Sequence, residues 1–355
     1  MYGEHDYEVL TSAREGLQRQ EDHFGSKQRH DTDVYIIIPF GYCTYRNRSD
    51  DGKFAFNINT ISEKAIVSKF YPVFRFTNAN STFMAEFLNS SPRVKKKLSV
   101  LAVGTSQVVL SFEALKAAKF DLPCKDEQDK IAAFLECLNA RIENQRTLVV
   151  ALKKYKRGVV DGIFSRKLNF SYPQTWAELE ISELFMPISD KGYSDKTVLT
   201  IVQGEGTMPR DSVDRRIAYD KSTISSYKRV LPNDFILHLR SFEGGLEIVN
   251  EEGVVSPAYT ILRARNEIIP LFFYTFFRSY WFINSKLRIS VEGIRDGKSI
   301  NMNTFWHIKV PVPSIEEQRH ISALISSIDN RIKIAEFEYK RLLQIRVGLM
   351  QQLFI

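Results

Sequence analysis

The chain has 355 residues, 44% of them hydrophobic, enough for two domains with a core each. Its 49 lysines and arginines against 42 acidic residues give a net charge of +7, which favours polyanionic partners, although a modest lysine excess also serves solubility. No apolar run approaches the ~20 residues of a spanning helix, and the start MYGEHDYEVL has no secretory pattern, so a cytoplasmic protein is expected; Cys43, Cys124 and Cys137 fit packed thiols better than a disulfide framework or a zinc site.

In chain order, the first segment is mixed. GYCTYRNRSDDGKFAFNINTISEKAIVSKFYPVFRF reads as short strands with Asp51-Gly52 at a turn, and Arg46 and Arg48 just before it. STFMAEFLNSSPRVKKKL then predicts a short helix, with Phe83 and Phe87 at helical spacing and the run Lys95, Lys96, Lys97. A run of lysines is ordinarily a solvated face, but on a basic protein it can meet phosphates.

From Ile131 the apolar residues fall in a 4,3 rhythm through Leu135, Leu138 and Ile142, which predicts a long coiled-coil helix. A second mixed segment follows. NDFILHLRSFEGGLEIVNEEGVVSPAYTILRA again alternates strands with turns, at Gly244-Gly245 and at Asn250 to Gly253, and Arg240 and Ser241 precede the first turn. PLFFYTFFRSYWFINSKL repeats the aromatic helix, with Phe272 and Phe276 in place of Phe83 and Phe87; at this spacing core is expected over base stacking. Arg295 and Lys298 lie in a further turn. Gly297-Lys298-Ser299 resembles the end of a phosphate loop, but Glu292 stands where the earlier glycine is needed, so that motif fails.

The second periodic stretch runs Ile321, Ile325, Ile328, Ile332, and ends the chain. It repeats the first: Glu317-Gln318 answers Glu127-Gln128 at a distance of 317 − 127 = 190 residues, and other matches keep offsets between 188 and 193. Both stripes carry a basic break, at Lys156 and Arg346. Ser314 and Glu317 predict a capping box, which Cys124 weakens in the first copy. Two such helices suit each other, and Leu138 and Ile328 are read as sharing one seam; an ordinary helical bundle is the alternative. The first copy lacks a counterpart of YPQTWAELEISELF, roughly 25 residues of the unit, so a truncated or rearranged form of a longer parent is expected.

Catalytic machinery is missing from the pattern. No GxSxG elbow, HExxH pair, dinucleotide fingerprint or Asn-Pro-Pro run is present, and the six histidines do not fall at metal spacings. A binding protein is expected rather than an enzyme, with a self-contained nucleic-acid enzyme or a coiled-coil scaffold as the alternatives.

LPCKDEQDKIAAFLECLNARIENQ and VPVPSIEEQRHISALISSIDNRIK, each after a mixed half, resemble the specificity subunit of type I restriction-modification systems, over essentially the whole chain. The resemblance implies an α+β fold of two mixed α/β target-recognition domains separated by two long antiparallel coiled-coil helices, a pseudo-twofold internal repeat. It divides the chain into recognition domains at 1–122 and 168–312 and spacer helices at 123–167 and 313–355. It further implies a non-catalytic DNA-binding subunit that reads a bipartite double-stranded site and docks two methyltransferase subunits and the restriction subunits, in DNA methylation and phage defence. No cofactor is expected on this chain; S-adenosylmethionine, ATP and magnesium are expected on the partners. Candidate DNA contacts are Arg46, Arg48, Arg240, Ser241, Lys95, Lys96, Lys97, Arg295 and Lys298; candidate helix-packing residues are Ile131, Leu135, Leu138, Ile142, Ile321, Ile325, Ile328 and Ile332.

Overall fold

The computed structural model describes residues 7–25, 34–168, 175–213, 221–238, 245–293 and 299–354. They form two compact units: residues Met1–Thr147 with Glu336–Ile355, and residues Leu148–Ala335.

Unit 1 opens with a hairpin of β1 (Glu8–Ala13) and β2 (Gly16–Arg19), followed by the short helix α1 (Gln20–Phe24). Next come β3 (Tyr35–Ile37), β4 (Cys43–Tyr45), β5 (Arg48–Ser49), β6 (Phe56–Ile58), β7 (Ala65–Ser68) and β8 (Val73–Phe74). The helices α2 (Ser81–Ser90) and α3 (Pro92–Leu101), the strand β9 (Val108–Val109) and the helix α4 (Phe112–Ala117) lead to α5 (Lys125–Phe164). The strands order as β2-β1-β7-β3, β6-β4-β8 and β5-β9, with β1 parallel to β7. Local chemistry starts the helices: the Asn80, Ser91 and Ser111 side chains each accept the backbone N–H three residues on, and Pro92 opens α3, where its missing donor costs nothing.

Unit 2 contains β10 (Ala177–Glu180), α6 (Ile181–Leu184), β11 (Phe185–Ile188), β12 (Leu199–Val202), β13 (Gly206–Pro209), β14 (Lys228–Val230) and β15 (Phe235–His238). It continues with β16 (Glu247–Ile248), β17 (Gly253–Val255), β18 (Tyr259–Ala264), α7 (Pro270–Phe277), β19 (Val291–Glu292), β20 (Ser299–Ile300), α8 (Met302–Trp306), β21 (Lys309–Val312) and α9 (Ile315–Leu353). A four-stranded sheet, β11-β18-β15-β16, is accompanied by the pairs β12-β13, β14-β17, β10-β21 and β19-β20. The turn at Asn250 to Gly253 joins strands that pair elsewhere, β16 with β15 and β17 with β14, so it is a crossing between two ladders rather than a hairpin.

Both long helices predicted from the 4,3 rhythm form. Within unit 1 they run antiparallel: Leu135 clusters with Met350 and Phe354, Arg346 Nε donates to Asn139 Oδ1 at 2.8 Å, and Gln145 Nε2 to Glu338 Oε2 at 3.2 Å. Within unit 2, Val159, Val160, Ile163 and Phe164 share a core with Ile321, Ile325, Ile328 and Ile332, and Lys156 Nζ lies 2.6 Å from Asp329. The two basic breaks in the stripe are these polar contacts: Arg346 also grips Glu86 at 2.7 Å, a carboxylate on α2.

Ile328 is buried in unit 2, in the core that holds Val159 and Ile163 of α5, and its equivalent Leu138 is half-buried in unit 1. Antiparallel packing matches the start of one helix with the end of the other. At the end of α9 the strict rhythm predicts Leu349 and Leu353 inside; Met350 and Phe354 are buried instead and Leu353 is 37% exposed. A straight helix drifts by ~20° per heptad, so over the four heptads from Ile321 to Leu349 an unbroken stripe turns by ~80°, close to one residue's step around the helix.

Aromatic residues hold each helix to its unit. Phe164 meets Phe272 at 5.6 Å and Phe276 at 5.0 Å; Phe354 meets Phe83 at 5.6 Å and Phe87 at 5.9 Å. Phe83, Phe272 and Phe276 are buried in the cores and Phe87 is half-buried against them.

The repeated Glu-Gln phrase also has a structural purpose. Gln128 is 3% exposed; its Oε1 accepts the Asn80 N–H at 3.0 Å and its Nε2 donates to the Pro123 carbonyl at 2.9 Å. Gln318, 1% exposed, accepts the Ile269 N–H at 3.0 Å and donates to the Pro313 carbonyl at 3.0 Å. Asn80 and Ile269 are the N-cap residues of α2 and α7, so one carboxamide ties the first turn of each long helix to the start of the aromatic helix. Gln318→Ala leaves a buried donor and acceptor unmatched, and a loss of about 1 to 3 kcal/mol is expected in denaturant unfolding of unit 2. Gln318→Met, of similar shape, should lose as much; a neutral result for both substitutions would mean that water replaces the clamp.

The capping box is half formed. Ser314 Oγ accepts the Glu317 N–H at 3.2 Å, but the Glu317 carboxylate accepts the indole N–H of Trp176 at 2.9 Å instead of returning to the cap.

Candidate nucleic-acid interface

Among the predicted contact residues, Arg46 and Arg48 stand on the connection between β4 and β6, which pair in the register Tyr45↔Phe56 and Cys43↔Ile58. The strand β5 within this connection is pinned to β9, and the connection turns at Gly52, whose φ of +71° suits glycine. A Cβ at Gly52 would lie 3.5 Å from Ser99 Oγ, so the turn abuts α3, the helix that carries the lysine run.

Asp51 organises the turn. Its carboxylate accepts Ser49 Oγ at 2.9 Å, Arg14 Nη2 at 2.8 Å and the Lys53 N–H at 3.3 Å. The Ser49 hydroxyl first, then the Lys53 amide and the Arg14 guanidinium, hold this carboxyl below the ordinary range. A depressed carboxyl supports the turn at every pH above its unfolded value and gives way only as acid takes the pH down through the folded one.

The exposed cations differ in how they are held. Among the described residues Arg46 has no ion-pair or hydrogen-bond partner, while Arg48 lies over the Phe70 ring at 5.2 Å. Lys95 and Lys96 are exposed; Lys97 donates to the Lys119 carbonyl and covers the Phe120 ring at 5.2 Å, so it is engaged within the unit. Lys95, Arg14 and Lys53 line one cleft of about 990 Å³, which Glu86 and Glu136 also line, so its charge is mixed.

In unit 2, Arg240, Ser241, Arg295 and Lys298 lie outside the described residues. What is described flanks them. β15 pairs with β16 and β19 with β20, the strands on either side of 239–244 and 294–298 in the sequence. Gly245, with φ +81°, stands at the foot of the first of these, where a Cβ would come within 2.1 Å of the Phe277 carbonyl.

The sequence reading missed the polar ties that brace unit 2. Arg263 grips Asp234 with contacts of 2.7 and 2.6 Å, and Asp234 in turn accepts the Leu231 N–H. The buried Glu247 accepts the Gly204 N–H at 3.0 Å, Tyr274 OH at 3.0 Å and Arg278 Nη1. Burial first, then the negative charge of Glu247, pushes the Tyr274 hydroxyl well above its usual range, so it stays protonated and donates. Arg229 pairs with Glu252 at 2.8 Å and stacks over Tyr193 at 4.7 Å. No spacing links these residues in sequence; the repeated Gln128 and Gln318 were the one visible signal among the missed groups.

The described residues contain no group of three His, Cys, Asp or Glu side chains placed to hold a metal, and no helix among them is long and apolar enough to cross a membrane.

Comparison with known proteins gives a consistent result. The family model for the type I restriction modification DNA specificity domain matches twice, at residues 6–152 and 173–344. A putative type I restriction enzyme MjaX specificity subunit from Methanocaldococcus jannaschii is 22% identical over 258 residues, covering 67% of this chain and 59% of that protein. The type I restriction enzyme MjaVIII specificity subunit of the same organism is 24% identical over 215 residues, 58% of this chain and 47% of the relative. The chain therefore spans about half the length of these curated relatives. Among solved structures, the type I restriction-modification S subunit from M. genitalium has a TM-score of 0.53 at 18% identity, covering 99% of this chain and 89% of that one. A chain from a study of complex assembly and conformational transition of the type I R-M system has a TM-score of 0.55 at 16% identity, covering 90% and 83%. At such identities the likeness is one of fold. With most of its length matched in two successive blocks, the chain belongs to the type I restriction modification DNA specificity domain family.

Proposed function

We propose that the chain is the non-catalytic sequence-reading subunit of a type I restriction-modification complex. Each unit reads one half of a bipartite double-stranded DNA site, and the two methyltransferase subunits and the restriction subunits dock on the chain. S-adenosylmethionine, ATP and magnesium belong to those partners. The observation that carries this reading is the double match of the specificity-domain family to the two mixed halves.

The helices α5 and α9 are read as the antiparallel coiled-coil spacer between recognition domains at 1–122 and 168–312, and the whole as a pseudo-twofold internal repeat. The matching ties support this: Gln128 and Gln318, Phe354 and Phe164, and the polar contacts Arg346–Asn139 and Lys156–Asp329 each recur at equivalent positions.

Arg46 is the base-reading candidate in unit 1, because a guanidinium with no partner among the described residues, carried on a braced hairpin, can reach the O6 and N7 acceptors of guanine in a major groove. With the methyltransferase subunits present, Arg46→Ala is expected to lose ~1 to 3 kcal/mol against the cognate half-site and to tolerate substitution at one base. Lys96→Ala should weaken all sequences alike and lower the salt slope by about one unit. Competition binding over half-site variants at two salt concentrations checks both. Unchanged affinity, specificity and salt slope in Arg46→Ala would remove this hairpin from the interface. The purified chain alone should transfer no methyl groups from S-adenosylmethionine to DNA, and turnover that co-purifies with it through successive columns would overturn the non-catalytic reading.

A further inference from the structure

Beyond the two pairs of the β5–β9 ladder, Arg48↔Val109 and Ser49↔Val108, the register sets Asp50 opposite Gln107. Their side chains continue the ladder: Gln107 Nε2 donates to Asp50 Oδ1 at 3.0 Å. On the other side of β9, Val103 and Val109 exchange both backbone hydrogen bonds, at 3.0 and 2.9 Å, so residues 104–108 form a closed loop. Gly104 permits it, since its φ is +140° and a Cβ there would run into the Gln107 carbonyl. The foot of the ladder is anchored in the core. The Leu110 N–H donates to the Asn47 carbonyl at 2.9 Å, and the buried Tyr45 hydroxyl donates to the Leu110 carbonyl at 2.9 Å. Gln107 therefore stands on backbone that is held from both sides.

Strand alternation decides what stands beside it. Asn47 is half-buried and Ser49 buried, whereas Arg46, Arg48 and Asp50 are exposed, so these three share one outward face with the exposed Gln107. Arg14, Arg46, Arg48 and Lys53 outnumber Asp50 and Asp51 there, which leaves the face cationic. From Arg46 to Asp50 the strand covers ~13 Å, about four base steps, and a major groove admits a two-stranded ribbon.

The carboxamide is set for one base. Only its NH2 end can face a carboxylate, so Asp50 fixes which way round it lies and occupies one of its two N–H donors. One N–H and Oε1 remain, and among the described residues neither has a partner. A donor beside an acceptor matches adenine, which presents N7 and the N6 amino group to the major groove. Guanine presents two acceptors, so Oε1 would face O6 with no proton between them; thymine offers an acceptor and a methyl group, and cytosine only a donor.

We infer that Gln107 reads an adenine in the half-site of unit 1, its Oε1 accepting from N6 and its N–H donating to N7. Asp50 is a positioning residue, which holds the carboxamide in the orientation that fits. Gln107 has this role only if the chain reads DNA as proposed above.

The test is selection from a library of random duplexes by the complex with methyltransferase subunits. The parent should return a bipartite motif. Gln107→Ala should return the same motif with one adenine relaxed, its preference there falling by about 10- to 100-fold, and the unchanged positions show that the variant folds. Replacing N7 of that adenine by carbon should weaken the parent by about tenfold and leave binding by the Gln107→Ala complex unchanged. Asp50→Ala should relax the same position, while Asp50→Asn, whose carbonyl oxygen still accepts the N–H, should keep it. A parent motif that survives intact in Gln107→Ala, relaxation at a base other than adenine, or an equal response of both complexes to the N7 replacement overturns the role of Gln107 and leaves the sequence-reading function standing. Full preference in Asp50→Ala overturns the positioning role. A parent complex that selects no motif overturns the sequence-reading function and the role of Gln107 together.

Discussion

Phe164→Ala is expected to destabilise unit 2 by about 3 to 5 kcal/mol, the range for emptying a buried aromatic site. Phe164 is 2% exposed and is the point where α5 enters the unit's core, its ring against Phe272, Phe276 and Trp176 at 5.0 to 6.4 Å. These neighbours come from two further segments, so the site cannot collapse by shifting one element. Phe164→Leu should recover about half the loss, because part of the volume returns without the edge-to-face contacts. Urea unfolding followed by tryptophan fluorescence reads the change directly, since Trp176 touches the ring. Phe354→Ala makes the same test in unit 1, against Phe83 and Phe87. A loss below about 1 kcal/mol in both would show that the helices hold to their units by other means.

Arg278→Ala should cost unit 2 about as much, roughly 3 to 5 kcal/mol, by a different mechanism. Glu247 is 4% exposed, and its donors are the Gly204 amide, the Tyr274 hydroxyl and the Arg278 guanidinium, only the last of which carries charge. Removing the cation leaves a buried carboxylate facing two neutral dipoles. The double substitution Arg278→Met with Glu247→Leu removes both charges and should be much less damaging than Arg278→Ala alone, because the main cost is the uncompensated ion. Thermal unfolding of the single and double variants separates the cases. Equal losses would indicate that packing around the pair, not charge, is what matters. Tyr274 lies in the same network, so Tyr274→Phe and Arg278→Ala are expected to be non-additive.

The long helices, the repeat and the aromatic core were legible in the sequence because each rests on local periodicity. A 4,3 stripe can be read without knowing its partner, and so can phenylalanines four apart. Membership of the family was legible for the same reason: the Pro, Glu-Gln and Ile spacing occurs twice at one offset. The tertiary structure alone decided what those residues touch. Glu317 has the spacing of a capping residue, yet a tryptophan 141 positions earlier takes its carboxylate. Leu138 and Ile328 share a place in the pattern, yet Ile328 is buried and Leu138 only half-buried. Glu127 and Glu317 stand in the same phrase, yet Glu127 is exposed, whereas Glu317 is buried and accepts the Trp176 indole N–H. Periodicity specifies which face of an element is apolar; which face meets which depends on register and on covering segments distant in the chain, and no local pattern encodes those.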